Sequence, residues 1–184
     1  MTSHFTWKKV AKRIRVPMGF VVAALFLFLA RPTIPTLLES LLLVLPGLLL
    51  RGYAAGYVRK NAELTTTGPY AHTRNPLYLG SMLIACGFGA AAGSWLLFLG
   101  LAGLFLAIYL PTIQGEEEFL RATFSEFAAY AAQVPKLIPR LTPARTTQPT
   151  GTFSRALYMH HREYNALVGT LAIYGALILK LIAR

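Results

Sequence analysis

Acidic residues are scarce in this chain of 184 residues, and aspartate is absent from it. The seven acidic residues are all glutamate and stand against 18 lysines and arginines, which gives a formal net charge of +11. Such an excess favours an anionic partner, either nucleic acid or an anionic membrane surface. The basic residues lie in short segments beside apolar runs rather than along one groove-sized face of a soluble core. The pattern therefore indicates a membrane protein and no nucleic-acid partner.

Cysteine is almost absent as well, since Cys86 is the single one. One cysteine excludes an intrachain disulfide bond and a metal site built from several thiolates. Cys86 lies within an apolar run and is interpreted as a small buried hydrophobic residue. The chain is 55% hydrophobic, its mean hydropathy is +0.50, and several of its apolar runs have no polar face. These properties are typical of a polytopic membrane protein.

Five apolar runs predict membrane helices. They cover residues 16–30, 34–50, 77–93, 95–113 and 166–179. The third run carries Ala85, Gly89 and Gly93 at four-residue spacing, which predicts close helix contact. Only Ser94 separates it from the fourth run, so these two helices are expected to form a tight antiparallel hairpin. The fifth run is short and predicts either a tilted span or a helix in the membrane interface.

The second run has two features near its end. Pro46 and Gly47 predict a kink. Beyond the run, residues 52–60 continue the helical pattern and predict a helix that leaves the bilayer. Arg51 lies at this boundary and is interpreted either as an interfacial residue or as a contact for an anionic ligand.

The distribution of basic residues predicts the topology. Lys8 to Arg15 precede the first run as in a signal peptide, but no small-residue cleavage site follows, so a retained first helix is expected. The segments predicted to be inside carry 5, 4 and 6 basic residues, whereas the first outer loop carries Arg31 alone. The N-terminus is therefore predicted to be cytoplasmic and the C-terminus to be outside.

Polar and aromatic residues concentrate in the segment 68–80, which reads GPYAHTRNPLYLG. Two proline turns predict a stiff loop, and Pro76 suits the first turn of the helix that follows. The rings of Tyr70 and Tyr78 offer flat faces, and Arg74 and Asn75 offer donors beside a helix N-terminus, which favours anions. This combination predicts a site for a zwitterionic, nucleotide-like ligand.

A run of three glutamates, Glu116, Glu117 and Glu118, follows the fourth span. It is either a solvated helix start or the acidic part of a site, because the hairpin returns the chain to the side of the 68–80 loop. Residues 116–132 are predicted to form an amphipathic helix that lies on the membrane surface or caps the hairpin. Its apolar face would consist of Leu120, Phe124, Phe127 and Ala131. An irregular Pro- and Thr-rich connector follows.

The ordered combination of these motifs resembles the isoprenylcysteine carboxyl methyltransferase family and, in part, the related phospholipid methyltransferases. It consists of Gly-Pro-Tyr and Arg-Asn-Pro-x-Tyr-x-Gly in 68–80, Glu-Glu-x-x-Leu in 116–120 and Val-Pro-Lys-Leu-Ile-Pro in 134–139. The resemblance covers residues 50 to 140. It implies an all-α integral membrane protein of about five transmembrane helices, with a cytosolic-face pocket for S-adenosylmethionine. The implied parts are membrane helices in 1–60, a methyltransferase core in 61–140 and a connector with a C-terminal helix in 141–184.

The same resemblance assigns roles to residues of this chain. Those assigned to cofactor binding are Leu64, Thr65, Tyr70, Asn75, Pro76, Tyr78 and Glu116. Those assigned to catalysis are Arg74 and Glu117. Many members of the family have histidine in place of Asn75, and eukaryotic members have arginine in place of Thr112. The implied reaction is methyl transfer to a lipophilic small molecule, in the first place to a carboxylate, at a bacterial inner membrane.

A carboxylate acceptor is ionised near neutral pH and needs no general base. His72 is the only candidate base in the loop and is interpreted as a hydrogen-bonding surface residue. The pair His160-His161 with Glu163 lacks converging ligands and is interpreted as interfacial rather than metal-binding. Two alternatives stay open: an NADPH-dependent membrane reductase of related architecture, and a lipid-binding membrane protein without catalysis.

Overall fold

A computed structural model of the chain describes residues 19, 21–59, 62–144 and 151–183. The basic N-terminal residues, the start of the first apolar run and part of the connector lie outside these residues, as do the predictions made for them. Every regular element in the described part is helical. The elements are α1 (residues 21–29), α2 (Ile34–Ala55), a 3-10 turn (Gly68–Ala71), α3 (Pro76–Ala91), α4 (Trp95–Thr123), α5 (Phe127–Gln133), α6 (Arg155–His160) and α7 (Tyr164–Ile182).

Three of these helices, α2, α4 and α7, are long and apolar enough to cross a membrane. Helix α3 is also apolar but has 16 residues. Many large apolar side chains on α2 and α7 are exposed, as expected for helices that face lipid. The described residues therefore form an all-helical membrane protein, whereas the number of five spans and their sidedness stay predictions.

Helix α2 begins at a capping box, in which Thr33 and Thr36 each accept the other's backbone N–H, at 3.0 and 3.3 Å. Pro46 lies inside the helix without ending it. The prediction that the helix continues to residue 60 is wrong, because α2 ends at Ala55. There Gly56 accepts the backbone N–H of Ser154 at 2.8 Å, which ties the C-terminal part of the chain to the end of α2.

Helices α2 and α3 approach each other backbone to backbone. A Cβ atom on Gly80 would lie 2.7 Å from the Gly47 carbonyl oxygen, and one on Gly47 would lie 2.8 Å from the Gly80 oxygen. Close contact was predicted for Ala85, Gly89 and Gly93 instead. Gly89 does face another helix, since its Cβ would lie 2.7 Å from the Cα of Phe98 in α4. Gly93 lies in the turn after α3, where its φ of +64° suits glycine.

The predicted hairpin of α3 and α4 is confirmed. Ser94 caps α4 by accepting the backbone N–H of Leu97 at 3.5 Å. The prediction of a separate helix over 116–132 is wrong, because α4 continues without interruption to Thr123 and the break comes at Phe124. The three glutamates therefore lie within the last turns of a long helix and not at a helix start.

A hydrophobic core lies at the end of the bundle opposite to the polar loop. Its buried members are Phe26, Ala30, Leu37, Ala91, Ala92 and Leu177. At the same end Lys180 of α7 donates to the carbonyl oxygens of Leu27 and Phe28, each at 2.6 Å. Since Glu163 at the start of α7 contacts Arg51 near the end of α2, α7 runs antiparallel to α2 along the bundle.

Candidate functional site

The polar loop is fixed by backbone hydrogen bonds to the segment that follows α5. The N–H of Arg74 donates to Pro135, that of Arg140 to His72 and that of Ala144 to Ala71, at 2.9, 3.0 and 2.9 Å. The ring Nδ1 of His72 lies 2.8 Å from the carbonyl oxygen of Arg140, so this side chain belongs to the same junction. The motif at 134–139 is therefore a support for the loop.

Glu117 is the centre of a buried polar cluster that holds the loop to α4. Its Oε1 accepts from Nε of Arg74 at 2.9 Å and from Nδ2 of Asn75 at 3.2 Å. Nζ of Lys136 lies 3.5 Å from its Oε2. Arg74 also donates to the carbonyl oxygens of Ala131 and Val134, at 2.7 and 3.1 Å. Arg74 and Glu117, predicted to be catalytic, thus form an ion pair with each other.

A second junction joins the loop to α5. The Tyr130 hydroxyl donates to the Tyr70 carbonyl oxygen at 2.8 Å. Burial, together with the neighbouring Tyr130, raises the pKa of the Tyr70 phenol, and burial likewise raises the pKa of Tyr130. Both phenols therefore stay neutral near neutral pH. The four residues predicted for one apolar face, Leu120, Phe124, Phe127 and Ala131, do pack in one cluster with Tyr130 and Leu64, although they do not belong to one helix.

Replacing Tyr130 with phenylalanine is expected to lower the free energy of unfolding by about 1–2 kcal/mol, because the buried carbonyl of Tyr70 loses its donor. Equilibrium unfolding in detergent measures the change. Tyr164→Phe is the matched control, since Tyr164 is 37% exposed, and its effect should stay within about 0.5 kcal/mol. Equal effects of the two substitutions would contradict the role of this hydrogen bond.

Glu116 lies one residue before the buried Glu117 but has a different environment. Its side chain is exposed, and its Oε1 accepts from the Tyr78 hydroxyl at 2.7 Å. The Tyr78 ring meets the Tyr109 ring edge to face, with 5.4 Å between centroids, and Tyr109 stacks on Phe105 at 4.1 Å. Glu116 is therefore accessible to a ligand, beside a wall of aromatic rings.

A cavity of about 330 Å³ opens between the loop, α3, α4 and the end of α2. All nine residues predicted for the site line it: Leu64, Thr65, Tyr70, Arg74, Asn75, Pro76, Tyr78, Glu116 and Glu117. Three buried polar atoms of the described residues have no hydrogen-bond partner, and all three belong to residues of its wall: Nε of Arg51, Oγ1 of Thr65 and Oε1 of Glu63, although the last lies 3.6 Å from Nε of Arg59. A ligand with donors and acceptors fits such a lining.

Several residues of the wall were not among the predicted site residues, and two of them, Arg51 and Glu163, form an ion pair. Arg51 donates through Nη2 to both carboxylate oxygens of Glu163, at 2.9 Å to Oε2. The ring Nε2 of the neighbouring His161 lies 3.0 Å from the Val58 carbonyl oxygen. The described residues contain no group of three or more potential ligands. No local sequence pattern indicates that Glu163 belongs to the site. The position of Arg51 at the end of an apolar run could have indicated that residue.

Comparison with known proteins concerns the central part of the chain. Residues 49–126 match the family of phospholipid methyltransferases. The match contains the loop, the α3–α4 hairpin and the glutamates, and it leaves out α5, the 134–144 segment and Glu163. No solved structure is significantly similar to the chain.

Two curated proteins are each similar to about half of the chain. The cobalt-zinc-cadmium resistance protein CzcN of Cupriavidus metallidurans is 42% identical over 84 residues, which are 46% of this chain and 39% of that protein. The nickel-cobalt-cadmium resistance protein NccN of Alcaligenes xylosoxydans xylosoxydans is 38% identical over 103 residues, or 54% of this chain and 48% of that protein. The chain thus spans less than half the length of these relatives. The match to a methyltransferase family thus falls on a chain whose described part is helical and has three candidate membrane spans.

Proposed function

We propose that this protein is a methyltransferase that uses S-adenosylmethionine and methylates a lipophilic small molecule at the cytoplasmic face of a bacterial inner membrane. The family match over 49–126 supports the reaction class. The identity of the cofactor is supported by the charges around the cavity, and the acceptor is proposed to be an isoprenylcysteine-like carboxylate or another lipid.

The observation that supports this cofactor is which of the four glutamates in the cavity wall have a basic partner. Three have a basic partner: Glu117 has Arg74 at 2.9 Å, Glu63 has Arg59 at 3.6 Å, and Glu163 has Arg51. Among the described residues Glu116 has no such partner and accepts only the neutral hydroxyl of Tyr78. An accessible carboxylate without a counter-ion attracts a cation, and the aromatic rings beside it favour one too.

S-adenosylmethionine supplies, when bound, a methyl group on a positively charged sulfur. Glu116 and the Tyr78–Tyr109 wall would hold the positively charged part of this molecule. Thr65 offers an unsatisfied hydroxyl for its polar groups. Arg74 and Glu117 satisfy each other and are better suited to position the loop than to touch the reacting atoms. The described lining contains no histidine, which suits an acceptor that is already ionised.

The test is the binding of labelled S-adenosylmethionine to the purified full chain in detergent. Glu116→Gln should weaken binding by about tenfold, because it removes a charge-assisted contact. Glu118→Gln is the matched control, since this neighbouring glutamate is exposed and lies outside the lining, and it should bind as the wild type does. No binding by the wild type, or equal binding by Glu116→Gln, overturns the proposal.

The same preparation separates the proposal from a reductase. NADPH carries several negative charges, and Glu116, which has no basic partner among the described residues, disfavours it. Binding of labelled NADPH in place of S-adenosylmethionine would decide for a reductase. Incubation with labelled S-adenosylmethionine and total host lipids then identifies the acceptor as whatever gains the label, and a lipid-binding protein without catalysis would transfer none.

A further inference from the structure

Arg51 occupies an unusual place for a cation, because it lies inside the apolar helix α2 and yet reaches the cavity. Its Nη1 donates to the Ser81 hydroxyl and to the Leu77 carbonyl oxygen, the latter at 3.4 Å. Its Nη2 binds Glu163, and its Nε is buried without a partner. A charged residue within a membrane helix is costly and usually serves a function.

The partner of Arg51 comes from a part of the chain outside the family match. Glu163 stands just before α7, and its side chain is only 10% exposed, against 24% for Arg51. The preceding residue, Arg162, has a φ of 53°, which is unfavourable for a residue other than glycine. The backbone is thus strained at Arg162, the residue directly before the glutamate that pairs with Arg51.

Arg51 and Glu116 both contact residues of the first turn of α3. Arg51 bonds the carbonyl oxygen of Leu77, and the side chain of the next residue, Tyr78, bonds Glu116. The cavity therefore has a cation-attracting side and, next to it, a guanidinium that already holds a carboxylate. Arg51 contacts both oxygens of that carboxylate through one nitrogen, Nη2, and guanidinium groups are well suited to binding carboxylates.

We propose that Arg51 binds the carboxylate of the methyl acceptor, and that Glu163 occupies this position until the acceptor displaces it. The inference rests on the proposed function. Exchange of one carboxylate for another leaves Arg51 paired throughout, and the released Glu163 is attached to the chain outside the apolar span. One acceptor oxygen stays on Arg51 while the other forms the new bond to the methyl carbon. The carbon–sulfur bond breaks, its electron pair remains on sulfur, the two opposite charges cancel, and no proton moves.

The test measures binding of radiolabelled dodecanoate to the purified full chain in detergent by scintillation proximity. Unlabelled dodecanoate, dodecanol and dodecylamine compete, so that the apolar chain is constant and only the head group varies. The wild type should prefer dodecanoate to the other two by about tenfold. Arg51→Gln should remove this preference, and Arg51→Lys should retain part of it. Arg155→Gln, at an exposed arginine of α6 outside the lining, should leave it unchanged.

Glu163→Gln separates this proposal from a purely structural ion pair. If Glu163 competes with the acceptor, its neutralisation should tighten dodecanoate binding by about tenfold. If the pair only stabilises the fold, binding should be unchanged or weaker, and that result overturns the proposal. This variant keeps Arg51, so it tests the proposal even if Arg51→Gln does not fold.

Binding of labelled S-adenosylmethionine is measured on the same samples. Cofactor binding without a preference for dodecanoate overturns the inference and leaves the proposed function standing. A preference for dodecanoate that depends on Arg51 and Glu163, without cofactor binding, overturns the proposed function and leaves a carboxylate site in this cavity.

Discussion

Replacing Glu117 with alanine is expected to lower the free energy of unfolding by about 3–5 kcal/mol, the cost of removing one partner of a buried ion pair. The side chains of Arg74 and Glu117 are only 13% and 11% exposed, so the remaining guanidinium would stay buried without a counter-charge. Asn75 would lose its contact to Oε1 as well. Lys136 adds little, because it is 42% exposed. Equilibrium unfolding in detergent measures the loss.

Two further substitutions test whether the buried ion pair is the cause of the expected loss. Glu117→Gln can still accept from Arg74 and Asn75, so its cost should be smaller, about 1–3 kcal/mol. Glu126→Ala changes an exposed glutamate and should stay within about 0.5 kcal/mol. A loss for Glu117→Ala no larger than that for Glu126→Ala would show that the cluster does not hold the loop.

Replacing Gly80 with alanine is expected to destabilise the protein by about 1–3 kcal/mol, although alanine is the better helix former. The added Cβ would lie 2.7 Å from the Gly47 carbonyl oxygen, and a backbone atom in a packed helix pair cannot move aside without moving the helix. Thermal unfolding in detergent, followed by circular dichroism, measures the change.

Gly100 is the matched control for this prediction, because it lies inside α4 with no atom within 4 Å of its added Cβ. The same change, Gly100→Ala, should stabilise the protein by about 0.5–1 kcal/mol through helix propensity alone. The two substitutions thus have opposite expected signs. Stabilisation by both would mean that α2 and α3 are not in backbone contact.

The spatial grouping of the predicted residues could be predicted, because they belong to motifs with a fixed order in the chain, whereas their roles stay predictions. All nine predicted residues line one cavity, and the hairpin of α3 and α4 brings the loop to the glutamates as expected. The pairing of Arg74 with Glu117 was not predicted. Residue types specify that two groups can form an ion pair, but only their distance specifies that they do.

Two other differences between the predicted and the observed structure also have local causes. The end of α4 was misplaced because polarity was taken as a boundary, whereas a helix leaves the apolar region without ending unless its backbone is interrupted. The glycines of α3 indicated close packing, but spacing does not tell which of several small-residue faces meets which neighbour. Gly80 meets α2 and Gly89 meets α4.

The sequence by itself determined the class of the protein and the position of its polar loop, because the transfer of a segment into lipid depends on its length and composition. It also determined which polar and charged side chains the loop and the glutamate run contribute to the cavity. Only the tertiary structure decided which of those charges are already neutralised, since Glu117 lies 2.9 Å from Arg74 while Glu116 accepts a neutral hydroxyl. It also showed that Glu163 pairs with Arg51, which lies 112 positions away in the chain. Ion pairing depends on distance in space and leaves no periodic pattern in a sequence, so the sequence could not indicate this pair.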